Sequence, residues 1–234
     1  MASDKHGILS ELTAGFRRFQ KNWYFAEHDL YSSLREGQNP KGVIIACSDS
    51  RVDPAHVLDC APGDLFVIRN VANLVPPYEP DKHCHGVSSA LEYAVRHLHV
   101  PNIIVMGHAH CGGIKNLMQM DAGHNDECGS VRHEFLDIWM QQAESASHHV
   151  LASFGTDAAN RDEEKLLREC EKYSIRLSLQ NLLTFPWIAA GVQEGTLALH
   201  GLYFDLSSGE LFYFNQDEER FVPMGEHLAS INDS

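Results

Sequence analysis

The chain has 234 residues, 44% of them hydrophobic, enough for one domain with its own core, and a formal net charge of −14. That charge argues against a nucleic-acid backbone or an anionic membrane surface as partner. No window approaches the ~18 apolar residues that span a bilayer, and the N-terminal MASDKHGILSELTAGF lacks the basic and apolar regions of a secretory leader; a cytoplasmic location is the expectation.

Leu9, Leu12, Phe16, Phe19 and Trp23, three or four apart, predict a long N-terminal helical segment over about 8–34, within an arm of about residues 1–36. The breaker cluster Glu36-Gly37-Gln38-Asn39-Pro40 ends it. Val43-Ile44-Ile45-Ala46, Leu65-Phe66-Val67-Ile68 and Ile103-Ile104-Val105-Met106 are short apolar runs without alternation, as expected of strands buried on both faces. Between the last two, Val87, Ala90, Leu91, Ala94, Val95 and Leu98 mark one face of a helix over 86–99.

Residues 130–183 read as mostly helical, with a break at 155–160. Ser207-Ser208-Gly209 then separates 196–206 from 210–214, a hairpin signal. Strands alternating with helices imply parallel pairing through right-handed crossovers. The fold expected is α/β: a central, mostly parallel β-sheet with an antiparallel edge strand, flanked by helices. No linker or repeat divides the chain, so a single domain over 1–234 is expected.

Fifteen histidines and six cysteines raise the question of metal binding. The first buried run leads into Cys47-Ser48-Asp49-Ser50-Arg51, and the third into Gly107-His108-Ala109-His110-Cys111-Gly112-Gly113. In open α/β sheets ligands bind outside the carboxyl ends of the strands, where both motifs fall. His108 and Cys111 are close enough in sequence to clasp one ion, and Cys47 arrives from another strand. Two thiolates and an imidazole suit zinc, leaving a fourth position for water or a side chain. Asp49 is the candidate to interact with that position, and Arg51 can hold its carboxylate with two hydrogen bonds. If Arg51 holds Asp49 the site is open; if Asp49 is released it can close the site. Taken singly, each residue has a plainer reading: an inert core thiol, a helix cap, a surface ion pair. Five such residues on adjacent strand ends favour a metal or catalytic role. Cys60, Cys84, Cys128 and Cys170 have no second ligand at metal spacing. His83-Cys84-His85 reads as an exposed loop rather than a second metal site, His148-His149 as a solvated helix face, and His110 as either a proton shuttle or a bystander.

The two motifs resemble the signature pair of the β-carbonic anhydrases, plant-like branch. The likeness extends through Val67-Ile68-Arg69-Asn70-Val71-Ala72-Asn73, Ala90-Leu91-Glu92-Tyr93-Ala94-Val95, Ser178-Leu179-Gln180-Asn181-Leu182-Leu183 and Gly195-Thr196-Leu197-Ala198-Leu199-His200-Gly201. The resemblance implies reversible hydration of carbon dioxide to bicarbonate, one Zn2+ per chain on Cys47, His108 and Cys111, and Asp49 as the catalytic carboxylate, oriented by Arg51. It implies Gln38, Phe66, Tyr93 and Gly112 as substrate-binding residues, and a homodimer or higher even homo-oligomer whose N-terminal helix embraces the partner. One branch of the family closes its site under bicarbonate control through a tryptophan, an arginine and a tyrosine. The corresponding positions here hold Ile44, Arg69 and Phe204, which predicts an open site with no such switch; Arg69 is expected to pack in the dimer interface. Three rival readings are hydrolysis of another cumulated molecule such as carbon disulfide, a zinc-stabilised shell protein without turnover, and a Cys47/Cys111 redox switch.

Overall fold

The computed structural model describes residues 7–121, 134–154 and 162–225. Cys128 and the predicted break at 155–160 lie outside them. The chain forms two compact units, Met1–Asn39 and Pro40–Ser234.

In the first unit the predicted single helix is interrupted. Helix α1 (Gly7–Phe19) runs into a π-helical turn (Gln20–Tyr24), and α2 (His28–Glu36) follows a bend. The aromatic residues explain the interruption. Tyr31 packs its ring 5.8 Å from Phe19 and 5.1 Å from Tyr24. In a continuous helix twelve residues separate by about 18 Å along the axis, so only a bend brings Phe19 to Tyr31. Neither α1 nor α2 contains a buried residue.

The second unit is built on one six-stranded sheet of order β2-β1-β3-β4-β5-β6. Its strands are β1 (Gly42–Cys47), β2 (Leu65–Asn70), β3 (Asn102–His108), β4 (Ala198–Asp205), β5 (Glu210–Asn215) and β6 (Arg220–Pro223). The first four in sheet order pair parallel; β5 and β6 add antiparallel. The predicted hairpin is therefore present and extended by β6, which is too short to show a period in sequence. β1 is buried along its whole length, as its apolar run requires. β2 departs from expectation: it is an edge strand, and its Val67 is 42% exposed. An unalternating apolar run signals a strand but not its depth in the sheet.

Helices α3 (Pro54–Val57), α4 (Gly86–Glu92), α5 (Gly112–Asp121), α6 (Leu136–Met140), α7 (Glu144–Ser153), α8 (Glu163–Leu182) and α9 (Pro186–Gln193) surround the sheet. The helix predicted over 86–99 changes at Tyr93 into a π-helical turn, Tyr93–His97. Asp162 caps α8 by accepting from the Lys165 N–H. Ile175, Leu179 and Leu182 of α8 join Val43, Ile45, Ile103 and Val105 in the main core. Among the described residues no helix is long and apolar enough to cross a membrane.

Candidate metal centre

β1 and β3 are neighbouring parallel strands with Ala46 opposite Met106, so their carboxyl ends deliver Cys47 and His108 side by side. Cys111 comes from the turn between β3 and α5. The three side chains are buried, and one ligand atom from each lies within 4.8 Å of the other two. Tetrahedral zinc with bonds of about 2.0–2.3 Å separates its ligand atoms by roughly 3.5–4 Å, within that limit. The histidine supplies the clearest test of fit. His108 Nδ1 lies 2.9 Å from the Ala109 carbonyl, to which it donates as the N–H, while the buried Nε2 has no partner. A buried imidazole nitrogen without a hydrogen bond, facing two thiols, is a lone pair waiting for a cation. The residues present fit zinc.

The thiols share their charge unequally. The hydrogen bond from Cys111 pulls the Cys47 thiol down, helped by His108 and by the backbone at Asp49 and Ala72. Cys111 moves up in return, driven first by the same bond and then by burial. Ala72 contributes from an unusual backbone: it and Asn73 are left-handed, with φ of 64° and 49°. Asn70 holds that loop, its side chain bridging to the Leu74 carbonyl and N–H at 2.9 Å each.

Asp49 stands beside this group. Arg51 donates to it from Nε at 2.9 Å, from Nη2 at 2.7 Å and from the backbone at 3.0 Å. This grip, the side-chain bond above all, holds the carboxyl well below the usual carboxylate range. Asp49 Oδ2 lies 4.0 Å from His108 Nε2. Arg51 Nη2 also donates to the His110 carbonyl at 3.0 Å, tying the Cys47 loop to the Cys111 turn. His110 is itself left-handed (φ 58°), and its Nε2 lies 3.0 Å from Ser207 Oγ.

Arg69, on β2, reaches across to the Cys47 loop. Its hydrogen bonds lie within its own chain: Nε to the Cys47 carbonyl at 2.9 Å, Nη2 to the Asp49 carbonyl at 2.7 Å, and Nη1 to Asp53 at 2.8 Å. Asp53 in turn caps α3. Arg69 thus braces the Cys47–Asp49 loop from beneath.

The remaining predicted residues are more dispersed. Phe66 and Tyr93 pair with ring centroids 5.9 Å apart, and Tyr93 stacks on His97 at 5.5 Å. Gln38 is exposed and belongs to the first unit. Gly112 opens α5, and a Cβ there would meet nothing within 4 Å; at Gly113 a Cβ would lie 2.9 Å from Val71 Cγ1 and 3.2 Å from Ala72 Cβ. Gly113 is therefore the glycine that close packing demands. Among the described residues His83, Cys84 and His85 join no metal-holding group; the Asp81 carboxylate takes His85 at 2.7 Å and the His83 N–H at 2.6 Å. His148 and His149 are exposed on α7, as expected.

Sequence reasoning missed Glu171 and Tyr203. Glu171, on α8, accepts the Cys111 N–H at 2.8 Å and the Tyr203 hydroxyl at 2.8 Å. Burial pushes its carboxyl up to about 7. A signal existed: Glu171 shares the helical stripe of Ser174, Ile175, Ser178 and Leu182, which is otherwise uncharged.

A family model described as carbonic anhydrase matches residues 42–211. Beta carbonic anhydrase 3 of Arabidopsis thaliana is 37% identical over 207 residues, covering 88% of this chain and 77% of the relative. The solved structure of the β-carbonic anhydrase CcaA superposes with a TM-score of 0.81 at 32% identity, covering 92% of this chain and 91% of that one. A β-carbonic anhydrase of Sordaria macrospora, one of two described as tetrameric, gives a TM-score of 0.69 at 28% identity over 90% of this chain and 96% of that one.

Proposed function

Because the chain belongs to the β-carbonic anhydrase family and catalyses the zinc-dependent, reversible hydration of carbon dioxide to bicarbonate and a proton, we propose that Cys47, His108 and Cys111 hold one zinc ion and that Asp49 and Arg51 are its catalytic partners. The observation that carries the assignment is an Arg-held carboxylate 4.0 Å from the free nitrogen of a buried Cys-His-Cys group. Zinc, when bound, supplies the acidity that makes water a nucleophile near neutral pH. Asp49 then accepts a hydrogen bond from the attacking oxygen and points its lone pair at the substrate carbon. Arg51 keeps Asp49 in that orientation. Phe66 and Tyr93 form an apolar wall suited to carbon dioxide, which offers little to hydrogen-bond. Gln38 orients the substrate, and Gly112 leaves space at the start of α5.

We place the protein in the plant-like branch, in the cytoplasm, as a homodimer or higher even homo-oligomer with no nucleic-acid or membrane partner. The exposed apolar side chains of α1, among them Leu9, Leu12 and Phe16, favour an arm covered by a partner subunit. Stopped-flow hydration with metal analysis on one sample, across a dilution series followed by size measurement, tests the whole reading. One zinc per chain is expected, with activity lost on chelation and lost as the assembly dissociates. A fully active monomer refutes a substrate pocket completed by the partner subunit, and a zinc-loaded oligomer inactive on carbon dioxide refutes the residue roles.

Inhibition by bicarbonate should be simple rather than sigmoidal. Arg69 already bonds two carbonyls and Asp53, Ile44 is completely buried, and neither Ile44 nor Phe204 has a side-chain donor. A ligand shifts an equilibrium only by its differential affinity for the two states, and these groups give bicarbonate little hold on a closed form. Sigmoidal inhibition curves would overturn this reading.

A further inference from the structure

We propose that Glu171 is a positioning residue of the metal centre, fixing the turn that carries Cys111 through that residue's backbone N–H. The inference rests on Cys47, His108 and Cys111 being the metal ligands, and goes beyond it. Of the three, Cys47 and His108 are set by the ends of adjacent strands, whose ladder hydrogen bonds fix their backbones. Cys111 has no strand to hold it. It follows the left-handed His110 and precedes the first residue of α5, where backbone N–H groups lack intrahelical partners. Its N–H goes instead to Glu171 at 2.8 Å, from a helix sixty residues away in sequence.

The second carboxylate oxygen accepts from Tyr203 of β4 at 2.8 Å. Glu171 is 2% exposed and Tyr203 1%. A carboxylate is an unfavourable group to bury unless its hydrogen bonds matter, and the same buried face of α8 otherwise carries the small or apolar Ser174, Ile175 and Ser178. One carboxylate thus joins α5, α8 and β4 behind a metal ligand, while Arg51 holds the same turn from the other side through the His110 carbonyl. Outer partners of metal ligands commonly change metal affinity by about 10–100-fold when lost.

The test measures zinc affinity by chelator competition in Glu171→Leu and Glu171→Gln, with circular dichroism for the fold and the absorption of the cobalt(II)-substituted proteins for ligand geometry. Leucine removes the acceptor and should weaken zinc about 10–100-fold and alter the cobalt bands in a folded protein. Glutamine can still accept from Cys111 and donate to Tyr203 and should restore affinity to within about threefold of wild type, with wild-type cobalt bands. Wild-type affinity in Glu171→Leu, or a loss in Glu171→Gln as large as in leucine, overturns the proposal. Should Glu171→Leu not fold, Tyr203→Phe serves: it frees the carboxylate to turn from Cys111 and should weaken zinc several-fold, and unchanged affinity there is equally fatal. Absence of zinc binding by the wild-type protein would sink the metal centre itself, a different result from either.

Discussion

Replacing Asp49 by asparagine is expected to leave zinc bound and to lower carbon dioxide hydration by about a hundredfold or more, the scale of a positioned acid–base group. Both carboxylate oxygens of Asp49 accept from Arg51, and one takes the Arg51 backbone N–H as well. An amide keeps one acceptor and turns an N–H donor towards either the guanidinium or the reacting oxygen. In the first case the grip that aims the side chain is lost; in the second, the reacting oxygen meets a donor where it needs an acceptor. The proposed zinc ligands are untouched, so metal content separates this effect from loss of the centre. Turnover like that of the wild type, in a variant with full zinc, would remove Asp49 from catalysis.

The pH dependence of that pair has a definite sign. Arg51 depresses the Asp49 carboxyl below its ordinary value near 4. A depressed folded-state value contributes stability above the unfolded value, and the contribution is lost as pH falls through the folded one. Asp49 is therefore ionised throughout the neutral range.

Cys111→Ser should lose most of its zinc, with affinity falling by more than the ~10–100-fold typical of an outer partner, because a ligand itself is removed. A serine hydroxyl is a hard, neutral oxygen in place of a soft thiolate, and Cys47 with His108 alone makes a poor tetrahedral site. The fold should survive, since the sheet and α8 carry the main core and Cys111 lies in a separate cluster with Val52, Ala72 and Ile114. Metal analysis after dialysis reads the outcome directly. Full occupancy with full activity would exclude Cys111 from the centre.

The Cys47, His108 and Cys111 cluster and the Asp49–Arg51 pair were legible in the sequence because each half is local. Cys47, Asp49 and Arg51 follow one buried strand, and His108 and Cys111 follow another. The parallel sheet was legible for a related reason: an apolar run of four, then a helical period, then another apolar run leaves few ways to bury all three. The carbonic anhydrase chemistry followed from a resemblance carried by those same motifs, and the family match bears it out.

The tertiary structure alone decided what stands around those residues. Glu171 meets Cys111 and Tyr203 only because α8 lies across β3 and β4, and no pattern within α8 states what the one charged residue of its buried stripe will face. Arg69 lies 22 residues from Cys47, and its three bonds exist because β2 pairs with β1 in the register that sets Arg69 opposite Ala46. The bend between α1 and α2 comes from aromatic packing across the turn, against a sequence period that runs straight through it. Local hydrophobic spacing determines which segments form and where chemistry can emerge; which buried donors meet which acceptors depends on how separate segments pack.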